Sequence, residues 1–355
     1  MDNLIAAYKS RLQSALPDIA RYHSRLSALN DWWGKITLIG KINSYNIATT
    51  ILSDMLDTRK KFTRLQQSLI ENLVQEQIAK QTLDNSQRAQ VAVDLLIRNL
   101  FERTADVGFL ATDSDIRNFL LANNDNSRLE IKTRLKQYVK KYSVYDEIII
   151  LDSHGNVMAH LNDDNPITHC QDPLIQQTVS SKDDYIETFR YSDLQPNQSA
   201  SLIYSCKITA NSSLSAPVLG VLCLCFRFND EVSGIFNRLL PKNSNSILML
   251  VDNEQKIIAS SNTQFAAINS QMSTTIGNKI ALLAGTEYLI STAKTQGYQN
   301  FFGLGWSSCM ASPIQAERKE LSKANNNSQL HSGITESTLF SDQLNDVRRQ
   351  SLLSQ

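Results

Sequence analysis

The sequence predicts an α+β protein in which long N-terminal helices are followed by two antiparallel-sheet modules in tandem. Three features carry that expectation. The first is a repeat one hundred positions apart: Leu151-Asp152-Ser153-His154-Gly155-Asn156-Val157-Met158-Ala159-His160 is matched by Val251-Asp252-Asn253-Glu254-Gln255-Lys256-Ile257-Ile258-Ala259-Ser260. Each copy ends an apolar run on Asp, crosses a polar turn and resumes as a second apolar segment, which is the pattern of a strand, a tight Asp-led turn and a returning strand. The second feature is the scarcity of Gly and Pro before Asp113. The third is alternation of side-chain character between Asp184 and Phe228.

Residues 1 to about 140 read as helical almost throughout. Pro17 is placed to start or kink a helix, because its fixed φ suits a first turn. Ile42, Tyr45, Leu52, Met55, Phe62, Leu65, Leu69 and Leu73 recur at steps of three, four and seven, and a similar stripe runs through Val93, Leu96, Leu100 and Val107. Such amphipathic helices bury their apolar stripe within a bundle or against a second copy of the chain. Asp113-Ser114-Asp115-Ile116-Arg117 reads as a helix start and Asn123-Asn124-Asp125-Asn126-Ser127 as a loop before another helix over Arg128 to Tyr142; in such places short polar side chains accept from orphan N–H groups.

From Tyr145 strands dominate. After the first hairpin, Asp172-Pro173-Leu174-Ile175 suits a short helix. Asp184 to Leu194 alternates, with Tyr185, Glu187, Phe189 and Tyr191 on one face and Ile186, Thr188 and Arg190 on the other. Ser201–Ile208 and Leu219–Phe228 are further strands, the latter with Leu222, Leu224, Phe226 and Phe228 opposite Val221, Cys223, Cys225 and Arg227. Asp230–Leu240 returns to a helical pattern. The second module then repeats the hairpin and adds strands at 285–291 and 306–311. The chain divides into a helical region over 1–85, a first module with its long leading helix over 86–240, a second, smaller module over 241–316, and a polar tail with an incipient helix over 317–355.

Charge and motif content narrow the function. Lys plus Arg and Asp plus Glu are both 35, so there is no basic field to hold nucleic acid or an anionic membrane. No secretory signal opens the chain and no apolar run approaches the length of a membrane span, which predicts a soluble, cytoplasmic protein. Five scattered cysteines without a CxxC pair suit reduced thiols. There is no phosphate-binding glycine loop, GxSxG elbow or HExxH helix, so no enzyme is expected. His160, His169, Cys170 and Asp172 lie close in sequence, but their spacing fits no metal-ligand pattern, and neither a metal nor a cofactor is expected. Asp152 and Asp252 are explained as turn formers.

The order of elements resembles the double Cache sensor module of bacterial chemoreceptors and sensor kinases, whose halves are PAS-like sheets. The resemblance rests on Leu151-Asp152-x-x-Gly155-x-Val157 with its counterpart Val251-Asp252, on Asp172-Pro173, on Tyr191-x-Asp193 on the third strand, and on the closing Gly305-Trp306 strand; it covers roughly Ala89 to Pro313. Two departures matter. The flanking membrane helices usual in that family are missing, and so is the Arg-x-Trp-Tyr run that accompanies amino-acid recognition. The segment Leu95 to Asp113 is similar to that of soluble Cache proteins carrying a chemotaxis coupling domain, which is not found here, and the end at Gln355 reads as a coiled coil cut short.

The resemblance implies a small organic ligand in the first module, under the loop between the hairpin and Asp172. The side chains expected there are Tyr185, Glu187, Arg190, Tyr191, Asp193 and Tyr204, with Arg190 suited to a carboxylate and Asp193 to an amine. A binding event would shift the long helices, with chemotaxis signalling proteins or a second copy of the chain as partners. The alternative is a non-catalytic interaction protein whose helical region oligomerises and whose sheets are a spacer; Phe189 or Tyr204 folded inward would favour it.

Overall fold

The computed structural model describes residues 17–43, 49–122, 124–141, 143–211, 216–242, 244–272 and 276–314; the expected tail over 317–355 lies outside them. Helix α1 spans Pro17–Asn43 and begins on the proline, and α2 spans Thr49–Ala111. The described residues form two compact units, one within 75–313 and the other up to residue 74. In the latter, Arg59 Nε donates to Asn30 Oδ1 at 3.3 Å and Trp33 Nε1 to the Met55 carbonyl at 3.4 Å, tying α1 to the start of α2.

In the larger unit α2 is followed by α3 (Ser114–Ala122) and α4 (Asp125–Lys141). Asp113 and Asn124 cap these helices, accepting from the amides of Asp115 and Ser127 at 2.8 Å. The strands β1 (Tyr145–Asp152), β2 (Val157–His160), β3 (Ile186–Arg190), β4 (Ser201–Thr209) and β5 (Val218–Phe226) make an antiparallel sheet of order β2-β1-β5-β4-β3, with α5 (Leu174–Ser180) between β2 and β3. Helix α6 (Phe228–Leu239) leads to the second sheet. Its strands β6 (Ile247–Val251), β7 (Ile257–Ser260), β8 (Gly277–Leu283), β9 (Thr286–Lys294) and β10 (Ser307–Pro313) follow the same order, β7-β6-β10-β9-β8.

One face of each sheet turns toward α2. Ile148, Ile150, Leu222 and Leu224 of the first sheet and Leu248, Leu250 and Met310 of the second share a core with Ala92, Leu96, Leu100 and Val107 of the helix. These helix positions recur at steps of four and seven residues, so one stripe serves both modules. Polar groups fix the register: buried Asn85 donates to the Leu289 carbonyl at 3.1 Å and accepts from the Ser312 hydroxyl at 2.8 Å. The opposite face of the first sheet buries Ile149, Leu151, Ile203, Val221, Cys223 and Cys225 beneath Leu174 and Ile175 of α5. Cys223 and Cys225 thus share a face, as their spacing requires, and burial pushes both thiols up.

Three elements differ from the sequence expectation. The third strand ends at Arg190, so Tyr191 and Asp193 stand in the loop beyond it. Phe228 opens α6 instead of closing β5. The second sheet has five strands, not a smaller set, because β8 was not foreseen. It is an edge strand, starts Gly-Asn-Lys and is half exposed along most of its length, which leaves no clean alternation to read.

Candidate functional site

Alternation along β3 sends its side chains to opposite faces of the sheet, and this splits the six expected site residues into two groups. Tyr185, Glu187 and Tyr204 belong to the face that meets α2. Glu187 and Tyr204 are cross-strand partners, and the Tyr204 hydroxyl donates to Glu187 Oε1 at 2.8 Å. The Tyr185 and Tyr204 rings lie 6.2 Å apart. Burial pushes the Glu187 carboxyl up to about 7, with the Tyr204 hydrogen bond pulling the other way. Burial and the nearby Glu187 charge both raise the Tyr204 phenol, and burial, with Glu187 adding to it, raises that of Tyr185. Thr104 of α2 hydrogen-bonds Tyr185. Beside this layer, the Tyr145 hydroxyl donates to Asp106 of α2 at 2.6 Å, and Arg103 pairs with the same carboxylate at 3.2 Å while lying over the Tyr145 ring.

Arg190, Tyr191 and Asp193 gather at the other side, around the start of α5. Both Arg190 terminal nitrogens donate to Asp172, at 2.6 and 3.0 Å, and the Asp172 side chain is only 2% exposed. Burial alone would raise the Asp172 carboxyl; Arg190, Ser192 and the Leu174 amide together hold it below the usual carboxylate range. Asp193 accepts from the Gln171 amide at 2.6 Å and from Cys170 Sγ at 3.0 Å. Burial, then that carboxylate, pushes the Cys170 thiol up. Tyr191 is 57% exposed.

The six residues therefore do not line one cavity. Two faces of a sheet separate them, and the face beneath the rim is filled by aliphatic side chains and cysteines. Phe189 likewise points inward, its ring 4.8 Å from Phe228 and 5.1 Å from Trp306, which joins the first sheet to the loop preceding β10. Among the described residues no three His, Cys, Asp or Glu side chains gather as a metal site.

A cleft that the sequence reading did not find lies at the other end of β1, with a volume of about 520 Å³. Its walls are the loops after β2 and before β4, with Asn162, Asn165, Gln195, Asn197 and Gln198, together with Asp146, Glu147 and Arg227 from the strand ends. Glu147 forms its anchor. One carboxylate oxygen accepts from the amides of Leu161, Asn162 and Ile148 at 2.8, 2.9 and 3.1 Å, and the other from Asn165 Nδ2 at 3.1 Å. The signal for it was present: an acid inside a strand buried on both faces must be hydrogen-bonded, and the polar run Asn162-Asp163-Asp164-Asn165 was there to do it.

No family model and no curated protein matches the chain. Solved structures do match its fold. A domain of a sensory box/GGDEF family protein from Vibrio parahaemolyticus superposes with a TM-score of 0.50 at 12% identity, over 69% of this chain and 99% of that one. The sensor domain of the V. cholerae histidine kinase DctB gives 0.48 at 13% identity, over 68% and 99% of the two chains. The ligand-binding domain of the Campylobacter jejuni chemoreceptor Tlp3, in complex with 4-methylisoleucine, gives 0.48 at 15% identity, over 68% and 95%. The tandem PAS-like architecture implied by the Cache resemblance is thus the fold of this protein. No helix among the described residues is long and apolar enough to cross a membrane.

Proposed function

We propose that the protein is a non-catalytic, cytoplasmic small-molecule sensing module of bacterial signal transduction, of chemotaxis or two-component type. The first module takes the ligand, and α2 carries the response. One observation supports this above others: β3 and the loop after it join the rim of Arg190, Tyr191 and Asp193 to the half-buried layer of Glu187 and Tyr185 against α2. A ligand carboxylate competing with Asp172 for Arg190 would release that end of β3, and a shift of the strand would reach Thr104 through Tyr185. The ligand can shift the equilibrium only by its differential affinity for the two arrangements. Homodimerisation through the N-terminal helices belongs to the same reading, since Leu29, Ile36 and Ile39 of α1 are exposed at steps of seven and three. Sedimentation of the full chain tests that part.

The direct test is thermal-shift screening with organic acids, amines and purines, on the wild type and Arg190→Ala. A stabiliser whose effect disappears in the variant is expected. Absence of any stabiliser across the panel would count against sensing. It would favour the second reading, an interaction protein with a spacer sheet, which the inward packing of Phe189 and Tyr204 supports.

A further inference from the structure

We propose that the cleft anchored by Glu147 and Asn165 is a second ligand site of the first module, separate from the Arg190 rim, and that it takes a neutral polyhydroxylated molecule such as a sugar or sugar alcohol. The argument begins with Asn165, which is 9% exposed. Its Nδ2 donates both to Glu147 Oε2 at 3.1 Å and to the Leu194 carbonyl at 2.9 Å. Two acceptors on that side fix which end of the amide is nitrogen. Oδ1 is consequently a buried acceptor without a donor. Such an atom costs about 1–3 kcal/mol unless a donor reaches it.

Four of the five charged wall residues already have protein partners, and the fifth, Asp164, is an exposed carboxylate that can accept from a hydroxyl. Arg227 Nε pairs with Asp146 at 3.0 Å, Lys136 with Asp163 at 3.1 Å, and Glu147 is held by backbone N–H groups. An anion would have to break these pairs and face Asp164; a neutral molecule would not, and its hydroxyls can donate to Asp164. The cleft is lined by the side-chain amides of Asn162, Asn165, Gln195, Asn197 and Gln198, with one end of Asn162, Asn165 and Gln198 held by protein partners. Each amide carries both a donor and an acceptor, and a hydroxyl carries both as well, so a run of hydroxyls is the complement of a run of amides. The volume of about 520 Å³ lies within the range of small-molecule sites.

The loops are positioned independently of any ligand. Asn162 Oδ1 accepts from the Asp164 amide at 3.0 Å, and the Gln198 amide donates to the Gln195 carbonyl at 3.0 Å. The site is therefore preorganised, which limits the entropy lost on binding.

Isothermal titration of the full chain with glucose, galactose, mannitol and myo-inositol tests the proposal. At least one should give saturable heat. Asn197→Ala, at an exposed loop position, and Gln198→Ala, at a half-buried one whose side chain also donates to Asp146 at 3.4 Å, should each weaken it about fivefold, the worth of one hydrogen bond, while Arg190→Ala should leave it unchanged. Saturable binding by none of the four overturns the proposal, as does binding that survives both loop substitutions. Binding lost in Arg190→Ala alone places the ligand at the rim and overturns the second site while leaving the sensing reading intact.

Discussion

The two hairpins are the same object built with different residues. Asp152 Oδ1 accepts from the amides of His154 and Asn156 at 2.8 and 2.9 Å, and Asp252 Oδ1 from those of Glu254 and Lys256, both at 2.9 Å. Register shifts fall at Ile150/Leu151 and at Leu250/Val251, and the following loop returns alike, with Cys170 N on Gly155 O and Met272 N on Gln255 O, both at 2.8 Å. The modules diverge beyond that point. In the first, α5 and a long loop intervene and bring Arg190, Asp193 and the amide cleft; in the second, β8 and β9 are joined by the tight Ala284-Gly285 turn. On the proposed reading, the unequal loops of two like scaffolds carry the binding chemistry.

The turn position itself gives the largest expected effect. Gly155 has φ +89° and a Cβ there would lie 2.5 Å from the Cys170 carbonyl oxygen, whereas Gln255 occupies the equivalent place at φ 65°. Gly155→Ala should destabilise by about 3 kcal/mol, combining left-handed strain with a backbone clash. Urea unfolding measures it, and a loss below about 1 kcal/mol would mean that the two turns are interchangeable.

Glu187 has no charged counterpart on the second sheet: its cross-strand pair with Tyr204 is matched there only by uncharged contacts such as Ser291 with Asn278. Because burial raises its carboxyl to about 7, the folded state holds its proton more tightly than the unfolded chain does. The associated stability is complete below the ordinary carboxylate range and is lost as pH rises through about 7. Glu187→Gln should therefore match the wild type near pH 5 and exceed it by about 2 kcal/mol near pH 8. Equal stability of the two proteins at both pH values would remove Glu187 from the buried layer.

The smallest effect tests the second hairpin. Gln255→Gly relieves left-handed strain at the cost of unfolded-chain entropy, and should stabilise by about 0.5 kcal/mol in the same unfolding assay. Destabilisation would show that the Gln255 side chain has a role the first copy does not share.

Much of the fold was legible because its signals are local. Pro17 announces a helix start through its fixed φ, Asp113, Asn124 and Asp152 announce a helix start or turn through their own hydrogen bonds, and the alternation 221–226 assigns both sheet faces correctly. Strand β8 was not legible, since a half-exposed edge strand has no strong periodicity. The site was harder for a different reason. Tyr185, Glu187 and Arg190 lie within six positions, so sequence proximity suggested one pocket, although their alternation already sent Arg190 to the opposite face. The cleft joins Asp146, Asn165, Gln198 and Arg227, which only the antiparallel pairing of β1 with β5 and the two loops bring together.

The central claim is that the first module binds and the second supports. Hydrogen–deuterium exchange of the full chain, with and without glucose, galactose, mannitol and myo-inositol, tests it most directly. The account predicts slower exchange in residues 161–198 and in α2 around Thr104 with at least one of the four, and no change over 262–306. Protection over 262–306 would contradict it, whereas no change anywhere with all four would overturn the amide-cleft site alone.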